Sequence, residues 1–388
     1  MTDYLVRRFV PDHENTASPA VRQRYGTFSG IVGIVCNLLL FAFKFLAGTL
    51  TGSIAITADA INNLSDAGSS VVTLLGFKLA GQAPDPDHPF GHGRMEYLSG
   101  LVVAVIILMM GFELLKSSFD KILHPASIQF SAVSILILAV SILGKLWMSR
   151  FNQKLGDRIN SATLLATAAD SRGDALSTGV VLIGTLVGSF TPLRIDGWLG
   201  LLVAGVILKA GWEAGRDTLD PLLGGPPDPE LVQDITDTVL EHEVVCGVHD
   251  LIVHDYGPGR CMITLHAEVR SDGNLLEIHD AIDHIEQELQ DKYGCHATIH
   301  MDPLDVDNED VAAARLKVIM AIKTVDERIT IHDFRIVAGP THTNCIFDAV
   351  VPYDCKLSDK EAAEKIRLAV HDADRSYAAV VTVDRSYC

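Results

Sequence analysis

Two pairs of polar residues, each spaced four positions apart, lie within long apolar stretches of the chain. The first pair is Asn62 with Asp66, and the second is Asp170 with Asp174. Residues four apart lie on one face of a helix, so each pair presents two oxygen ligands in one direction. An Asp at the centre of a membrane helix costs about 2.5–3.5 kcal/mol on insertion scales, which indicates a functional reason for its presence. Together the two faces would supply four oxygen ligands, the set that a hard divalent cation prefers.

The apolar stretches are long enough to cross a membrane. About 20 apolar residues span a hydrocarbon core of about 30 Å, and 48% of the 388 residues are hydrophobic. We predict six membrane-spanning helices, at about 30–50, 53–79, 98–116, 130–149, 162–190 and 195–213. The second and fifth contain the polar pairs, so we expect them to be buried within the bundle. Lys and Arg in the short connections place both termini in the cytoplasm.

Charge divides the chain into two halves. Residues 1–217 contain 17 Lys and Arg and 16 Asp and Glu, whereas the remaining residues contain 14 and 33. The net charge of −18 therefore comes from the second half. An acidic surface argues against a nucleic-acid partner and suits a domain that handles cations, although ordinary solubility explains it equally well.

The acidic half contains one pattern twice. Gly and Pro at 224–230 end the last membrane helix, and the following elements have the order αββαβ up to residue 304. The order recurs from residue 308, where His332-Asp333 repeats His249-Asp250. We interpret this as a tandem duplication of one small α+β domain. Six of the seven cysteines lie in this half without CxxC spacing, so we expect reduced thiols rather than a disulfide framework.

The six spans, the two polar pairs, the loop DPDHPFGHGRMEYLSG at 85–100 and the αββαβ domain together resemble the cation diffusion facilitator family. The resemblance covers about residues 20–304 and implies a homodimer that exports divalent metal ions from the cytoplasm, generally in exchange for protons. The implied fold is a six-helix membrane domain followed by two tandem ferredoxin-like (αββαβ) cytosolic domains. We expect a cytosolic arm at 1–25, the membrane domain at 26–217, a metal-binding and dimerisation domain at 226–304 and its duplicate at 308–388.

The resemblance assigns the transported ion to both polar pairs: Asn62, Asp66, Asp170 and Asp174. Zinc-transporting members typically have His at one or both pairs, whereas this chain has none there. Imidazole suits Zn²⁺, and carboxylate and carbonyl oxygens suit Mn²⁺. The Asn-Asp-Asp-Asp set also resembles the bacterial manganese-efflux branch, so we expect Mn²⁺ first, Fe²⁺ second and Zn²⁺ third. Polar contacts that merely hold helices together are the alternative interpretation.

Further metal sites are implied by the resemblance. A loop site would use Asp85, His88 and His92, although these could equally be structural residues of the loop. In the cytosolic domain, where metal ions bridge protomers in the family, the matching positions are His249, His266, His279, His300 and Asp302. The second copy has Thr382 where the first has His300, so we expect a structural or dimer-stabilising role for it.

Other classes of function fit less well. A channel would need rings of charge along a pore, and an intramembrane hydrolase would need a catalytic signature such as HExxH, which is absent from the sequence. A metal-responsive membrane sensor remains an alternative. We therefore expect a multi-pass transporter of the plasma (inner) membrane, not an enzyme, with no prosthetic group. Its expected partners are a second copy of the chain, membrane lipid, divalent cations and protons, and no nucleic acid.

Overall fold

The computed structural model describes residues 2–16, 18–51, 54–124, 132–190, 195–305 and 308–385. Residue 53, where the second predicted span begins, and residues 130–131, where the fourth begins, lie outside the described residues. The chain divides into two units. The first consists of Met1–Gly225 with the turn Asp255–Arg260, and the second consists of Pro226–His254 with Cys261–Cys388.

The first unit is helical. A short helix, α1 (Thr2–Phe9), precedes six long ones. These are α2 (Pro19–Thr51), α3 (Ile54–Ala80), α4 (Met95–Leu123), α5 (Ala132–Ile159), α6 (Ala162–Phe190) and α7 (Asp196–Leu219). The helix α2 packs along α3, α4 along α7, and α5 along α6, while α3 also contacts α6. These contacts bring the two helices that carry the polar pairs together.

Polarity in this unit is inverted relative to a water-soluble bundle. Large apolar side chains face outward, among them Leu39, Phe112, Leu143 and Trp212, each more than 60% exposed. Polar side chains are buried instead, including Asn37, Lys44, Asn63, Ser141 and Thr167. An apolar exterior around a polar interior is the arrangement expected where lipid is the solvent.

Four of the helices contain segments long and apolar enough to cross a membrane: Pro19–Ala47, Met95–Leu123, Val133–Ile159 and Gly197–Leu219. In the described parts of α3 and α6, no segment meets the same standard. These are the two helices that carry the paired polar residues, which lower their hydropathy. The count of six spans therefore stays a prediction, while the four apolar helices are established.

A buried acidic residue joins three helices at one end of this unit. Glu96, 2% exposed, lies in the first turn of α4 and accepts hydrogen bonds from Arg22 of α2 at 2.8 and 3.0 Å. The hydroxyl of Ser161, which immediately precedes α6, donates to the same carboxylate at 2.6 Å. A buried charge is stable only when it is paired and hydrogen-bonded in this way. The network therefore fixes the relative positions of α2, α4 and α6.

The second unit begins with the order αββαβ, as predicted. Its elements are α8 (Pro229–Leu240), β1 (Val245–Asp255), β2 (Cys261–Arg270), α9 (Leu275–Tyr293) and β3 (Cys295–Leu304). The sheet has the order β1-β2-β3, with β2 parallel to β3. The Asp228 side chain caps the start of α8, and Gly294, in the left-handed region at φ 68°, ends α9. Ile235, Ile263 and Ile285 form part of the core between helices and sheet.

The same order of elements then recurs. The second repeat contains α10 (Glu309–Ile322), β4 (Thr330–Ala338), β5 (Thr343–Val350), α11 (Asp359–Ala373) and β6 (Tyr377–Asp384). Strand β4 is antiparallel to β5, and β5 is parallel to β6. A reciprocal capping box between Ser358 and Glu361 starts α11. Each repeat has its own hydrophobic core.

The expectation of reduced thiols was wrong for one pair. Cys261 and Cys295 form a disulfide, with Cα atoms 4.6 Å apart. They are direct partners in the parallel register of β2 and β3. They are 34 positions apart in the sequence and a whole helix lies between them, so their proximity depends on strand pairing and leaves no local spacing motif.

Candidate metal centres

Three buried carboxylates lie on the two helices that carry the polar pairs, α3 and α6. Asp66 of α3 is 8% exposed, and Asp170 and Asp174 of α6 are 5% and 8% exposed. The spacing of four places Asp170 and Asp174 one turn apart on α6. The Oδ1 atom of Asp170 is buried without a hydrogen-bond partner among the described residues. A carboxylate oxygen with no donor in a buried site is available as a ligand for a cation.

A lysine from a third helix joins the two carboxylate-bearing helices. The Nζ atom of Lys145, on α5, lies 2.6 Å from Asp66 Oδ2 and 2.6 Å from Asp174 Oδ2. Lys145 is 3% exposed. The ammonium therefore lies between the carboxylates of α3 and α6, where it acts as an internal cation. Sequence reasoning missed this residue, although a lysine inside the predicted span 130–149 was the signal that could have revealed it.

The ionised groups of this site carry net negative charge, which favours a bound cation. Asp66, Asp170 and Asp174 contribute three negative charges when ionised, and Lys145 contributes one positive charge. Lys44, also buried, is a second cation near Asp66, so the site keeps a net negative charge that a metal ion can neutralise. Neutralisation of a buried site by its ion is favourable, because unpaired charge in a low-dielectric interior is costly.

The amide of the first pair has a different environment. Asn62 lies one turn before Asp66, but its side chain is exposed. The next residue, Asn63, is 2% exposed and accepts a hydrogen bond from Lys44 Nζ at 2.6 Å. The structure therefore brings Asp66, Asp170 and Asp174 into one buried site and leaves Asn62 at its edge. Sequence reasoning did not single out Asn63.

The loop residues Asp85, His88 and His92 lie together. His88 Nδ1 is 3.5 Å from Asp85 Oδ1, and His92 Nε2 is 3.4 Å from Asp85 Oδ2. The ligand atoms of all three residues lie within 4.8 Å of one another. The backbone N–H of His88 donates to Asp85 at 2.7 Å and lowers the pKa of that carboxyl below its usual range. The buried Nδ1 of His92 has no hydrogen-bond partner among the described residues, so this set fits a metal ion chemically.

In the first repeat of the second unit, three histidines surround Asp302. His266 Nδ1 lies 2.9 Å from Asp302 Oδ2, and His249 Nε2 lies 3.2 Å from the same oxygen. His300 Nε2 lies 3.3 Å from Asp302 Oδ1. The parallel register of β2 and β3 places His266 opposite His300. Four of the five predicted cytosolic residues are therefore brought together within one chain.

His279 is the fifth predicted residue and lies apart from this cluster. It is exposed on α9, where its Nδ1 is 3.4 Å from Asp283 Oδ1 of the same helix. Within the cluster, burial lowers the pKa of His249, and the neighbouring His332 imidazole lowers it further. The lowered pKa of His249 favours its neutral form, which is the form of imidazole that binds metal ions.

Comparison with known proteins identifies the family of the chain. Residues 30–223 match the family model described as the cation efflux transmembrane domain, and residues 227–304 match the cation efflux protein cytoplasmic domain. An uncharacterized transporter of Methanocaldococcus jannaschii is 32% identical over 276 residues, which cover 71% of this chain and 97% of that protein.

Two further relatives carry descriptive names. The manganese efflux system protein MneS of Bacillus subtilis is 29% identical, over 72% of this chain and 96% of its own length. The cation-efflux pump FieF of Escherichia coli is 27% identical, over 74% of this chain and 96% of its own length. Both domain matches and the 32% identity lead to one conclusion: the chain belongs to the cation diffusion facilitator family and is a divalent cation efflux transporter rather than an enzyme.

Proposed function

We propose that this protein exports Mn²⁺ by proton antiport, through a site formed by Asn62, Asp66, Asp170 and Asp174. The observation that carries the proposal is the set of three buried carboxylates shared between α3 and α6. Neither helix contains a histidine. Oxygen ligands alone favour Mn²⁺ over Zn²⁺, which prefers a site with imidazole or thiolate.

The names of relatives support manganese without excluding other ions. MneS and MneP of Bacillus subtilis are both manganese efflux system proteins, at 29% and 26% identity. FieF, at 27% identity, has the broader name cation-efflux pump. Fe²⁺ also accepts oxygen ligands, so a ferrous or zinc exporter of the same family is the alternative proposal. A metal-responsive sensor is the alternative from another class, and it would bind the ion without moving it.

Lys145 occupies the proposed site when no metal ion is bound. Its ammonium contacts Asp66 and Asp174 at 2.6 Å each. An incoming dication must displace this ammonium from both carboxylates before it can bind them. When the ion leaves, the ammonium returns, so the carboxylates are never left wholly without a cation. Lys145 thus weakens metal binding enough for release, which a transporter requires.

Proton exchange follows from the remaining charge. With Lys145 in place, the three carboxylates still outnumber the buried lysines around them and leave net negative charge. Protons can neutralise this charge after the metal ion has left, because crowded carboxylates that repel each other favour protonation. Import of protons and export of Mn²⁺ would then alternate at one site. If an imposed pH gradient did not change the rate of Mn²⁺ uptake into vesicles, that result would contradict this step.

The proposal includes the expected architecture. It comprises six membrane spans, termini in the cytoplasm, a plasma-membrane location and two ferredoxin-like domains at 226–304 and 308–388. It also includes a homodimer and cytosolic metal sites at the Asp85 and Asp302 clusters, with His279 supplied from the second protomer. Support comes from the matched cytoplasmic domain, the duplicated αββαβ order and the geometry of both clusters.

Metal tolerance in growing cells distinguishes the candidates. Cells that lack their own exporters are made to express this chain and are challenged separately with Mn²⁺, Fe²⁺, Zn²⁺ and Co²⁺. The proposal predicts growth rescue against Mn²⁺ and a lower cellular Mn²⁺ content. Rescue against Zn²⁺ alone would replace the manganese assignment, and a metal-independent phenotype would favour the sensor.

The substitution Asn62→His tests whether oxygen-only ligation sets the preference. It places an imidazole one turn from Asp66, so we expect the ratio of Zn²⁺ to Mn²⁺ transport to rise by about 10-fold, which corresponds to about 1.4 kcal/mol. The ratio is measured as competition between the two ions in vesicles. Asn63→His is the matched control. It introduces the same imidazole at the next position of α3, where the buried Asn63 side chain contacts Lys44, and we expect the ratio to stay unchanged. An unchanged ratio in Asn62→His would remove Asn62 from the ligand set.

A further inference from the structure

The two repeats of the soluble unit are joined by a pair of stacked histidines. His249 of β1 and His332 of β4 precede an Asp in both repeats, and their ring centroids are 4.2 Å apart. Both residues belong to the second unit. Sequence analysis assigned the second repeat a structural role because Thr382 replaces His300, and it did not consider His332 as a ligand.

Both imidazoles are buried without hydrogen-bond partners. The side chains of His249 and His332 are 9% and 8% exposed. Among the described residues, neither ring nitrogen of either side chain has a hydrogen-bond partner. More than about nine in ten buried polar groups in native structures are paired. Two adjacent unpaired imidazoles are explained if their ring nitrogens bind a group that the chain itself does not supply, such as a metal ion.

Two carboxylates complete the arrangement. Asp250 Oδ1 lies 3.6 Å from His332 Nε2, and Asp250 Oδ2 lies 3.5 Å from His249 Nδ1. Asp384 Oδ2 lies 3.9 Å from His332 Nε2. Ligands held at about 2.0–2.1 Å from a tetrahedral ion lie about 3.4 Å from each other. The ligand atoms of His249, Asp250 and His332 lie within 4.8 Å of one another, so these three residues approach the separations of a ligand set around one ion, and Asp384 lies beside His332.

We propose that His249, Asp250, His332 and Asp384 bind one divalent transition-metal ion of the Zn²⁺, Co²⁺ or Ni²⁺ class and thereby join the two repeats. Two imidazoles with two carboxylates suit these ions better than they suit Mg²⁺ or Ca²⁺. The junction site, as we call it, differs from the Asp302 cluster because two of its ligands come from the second repeat. It does not depend on which ion the membrane unit transports.

His249 lies between the junction site and the Asp302 cluster. Its Nδ1 faces Asp250, whereas its Nε2 faces Asp302 at 3.2 Å. A metal-bound histidine usually directs its second ring nitrogen to a carboxylate, which fixes the orientation of the ring. Asp302 is therefore close enough to accept such a hydrogen bond from Nε2 once an ion binds His249 through Nδ1.

The test is metal stoichiometry of the purified full-length chain. The protein is stripped with a chelator, dialysed against Zn²⁺ and analysed for bound metal, and Co²⁺ is titrated in parallel as a spectroscopic probe. We expect His332→Ala to lose one equivalent of Zn²⁺ per chain and the corresponding Co²⁺ absorption. The exposed His342 of the same repeat, changed to Ala, is the matched control and should lose none. Unchanged stoichiometry in His332→Ala would overturn the proposal.

A second pair of variants covers the case in which His332→Ala does not fold. Asp250→Asn and Asp384→Asn preserve side-chain shape and remove one charge each, and Asn tolerates the left-handed backbone of Asp250 at φ 50°. We expect each to weaken binding of the junction equivalent by about 10-fold or more. Equal affinity in both variants and the unaltered chain would overturn the proposal. So would a complete loss of Zn²⁺ binding in His266→Ala, because that result would assign all soluble binding to the Asp302 cluster.

Discussion

Replacing Asp174 by Asn is expected to abolish export. The substitution removes one of three buried carboxylates while leaving the side chain nearly unchanged in size. It also removes one of the two partners of Lys145, which lies 2.6 Å away. The ion loses a charged oxygen ligand, so we expect Mn²⁺ transport to fall by at least about 100-fold, which corresponds to about 2.7 kcal/mol. The rate is measured as Mn²⁺ uptake by inverted membrane vesicles.

Asp157→Asn is the matched control for this experiment. Asp157 is an exposed carboxylate on α5 whose side chain accepts a hydrogen bond from Gln153. We expect its substitution to leave transport and expression unchanged. If Asp174→Asn and Asp157→Asn retained equal activity at equal amounts of protein in the membrane, the buried carboxylates would not form the transport site.

Replacing Lys145 by Met is expected to tighten metal binding and slow transport. The methionine is apolar, so three carboxylates lose their internal cation. Without an ammonium to displace, Mn²⁺ should bind about 10-fold or more tightly, a gain of about 1.4 kcal/mol. The metal-free protein should be less stable, because an uncompensated buried charge is unfavourable. The measurement is the melting temperature in detergent as a function of Mn²⁺, alongside transport in vesicles.

Lys145→Arg separates the charge of this residue from its shape. It preserves the positive charge, so we expect the metal-free stability and the Mn²⁺ affinity to stay near those of the unaltered chain. Weaker Mn²⁺ binding in Lys145→Met than in Lys145→Arg would contradict the role of Lys145 as a competing internal cation. It would show instead that the ammonium helps to hold the ion.

Much of the site could be predicted because its pattern is local. Asp170 and Asp174 lie one helical turn apart, and this spacing is visible in the sequence without knowledge of the fold. Lys145 was missed because its contact with Asp66 joins positions 79 residues apart. A contact between helices depends on packing, which neither spacing nor hydropathy specifies.

The directions of individual side chains were harder to predict from the sequence. Asn62 and Asn63 differ by about 100° around the helix, and the sequence alone favoured the residue four positions from Asp66. In the structure, the Asn63 side chain is buried and that of Asn62 is exposed. Only the neighbouring helices decide which face of α3 is covered, so this difference could not be derived from α3 itself.

In the soluble half, the order of elements was predictable and the pairing of strands was not. Turn residues and periodicity correctly indicated αββαβ in both repeats. The register of β2 with β3 places Cys261 beside Cys295 and His266 beside His300. The contact of His249 with His332 likewise depends on how the two repeats pack. Each of these contacts joins residues more than 30 positions apart, which no local pattern encodes.

The central claim is that the buried carboxylates of α3 and α6 bind Mn²⁺ during its export and exchange it for protons. The most direct test is Mn²⁺ flux in proteoliposomes containing the purified chain or its Asp66→Asn variant, with a pH gradient imposed in each direction. We predict that flux reverses with the gradient, exceeds that of Zn²⁺ under competition, and falls to the level of empty liposomes in Asp66→Asn. Flux that persists in Asp66→Asn, or that carries Zn²⁺ in preference to Mn²⁺, would contradict the account.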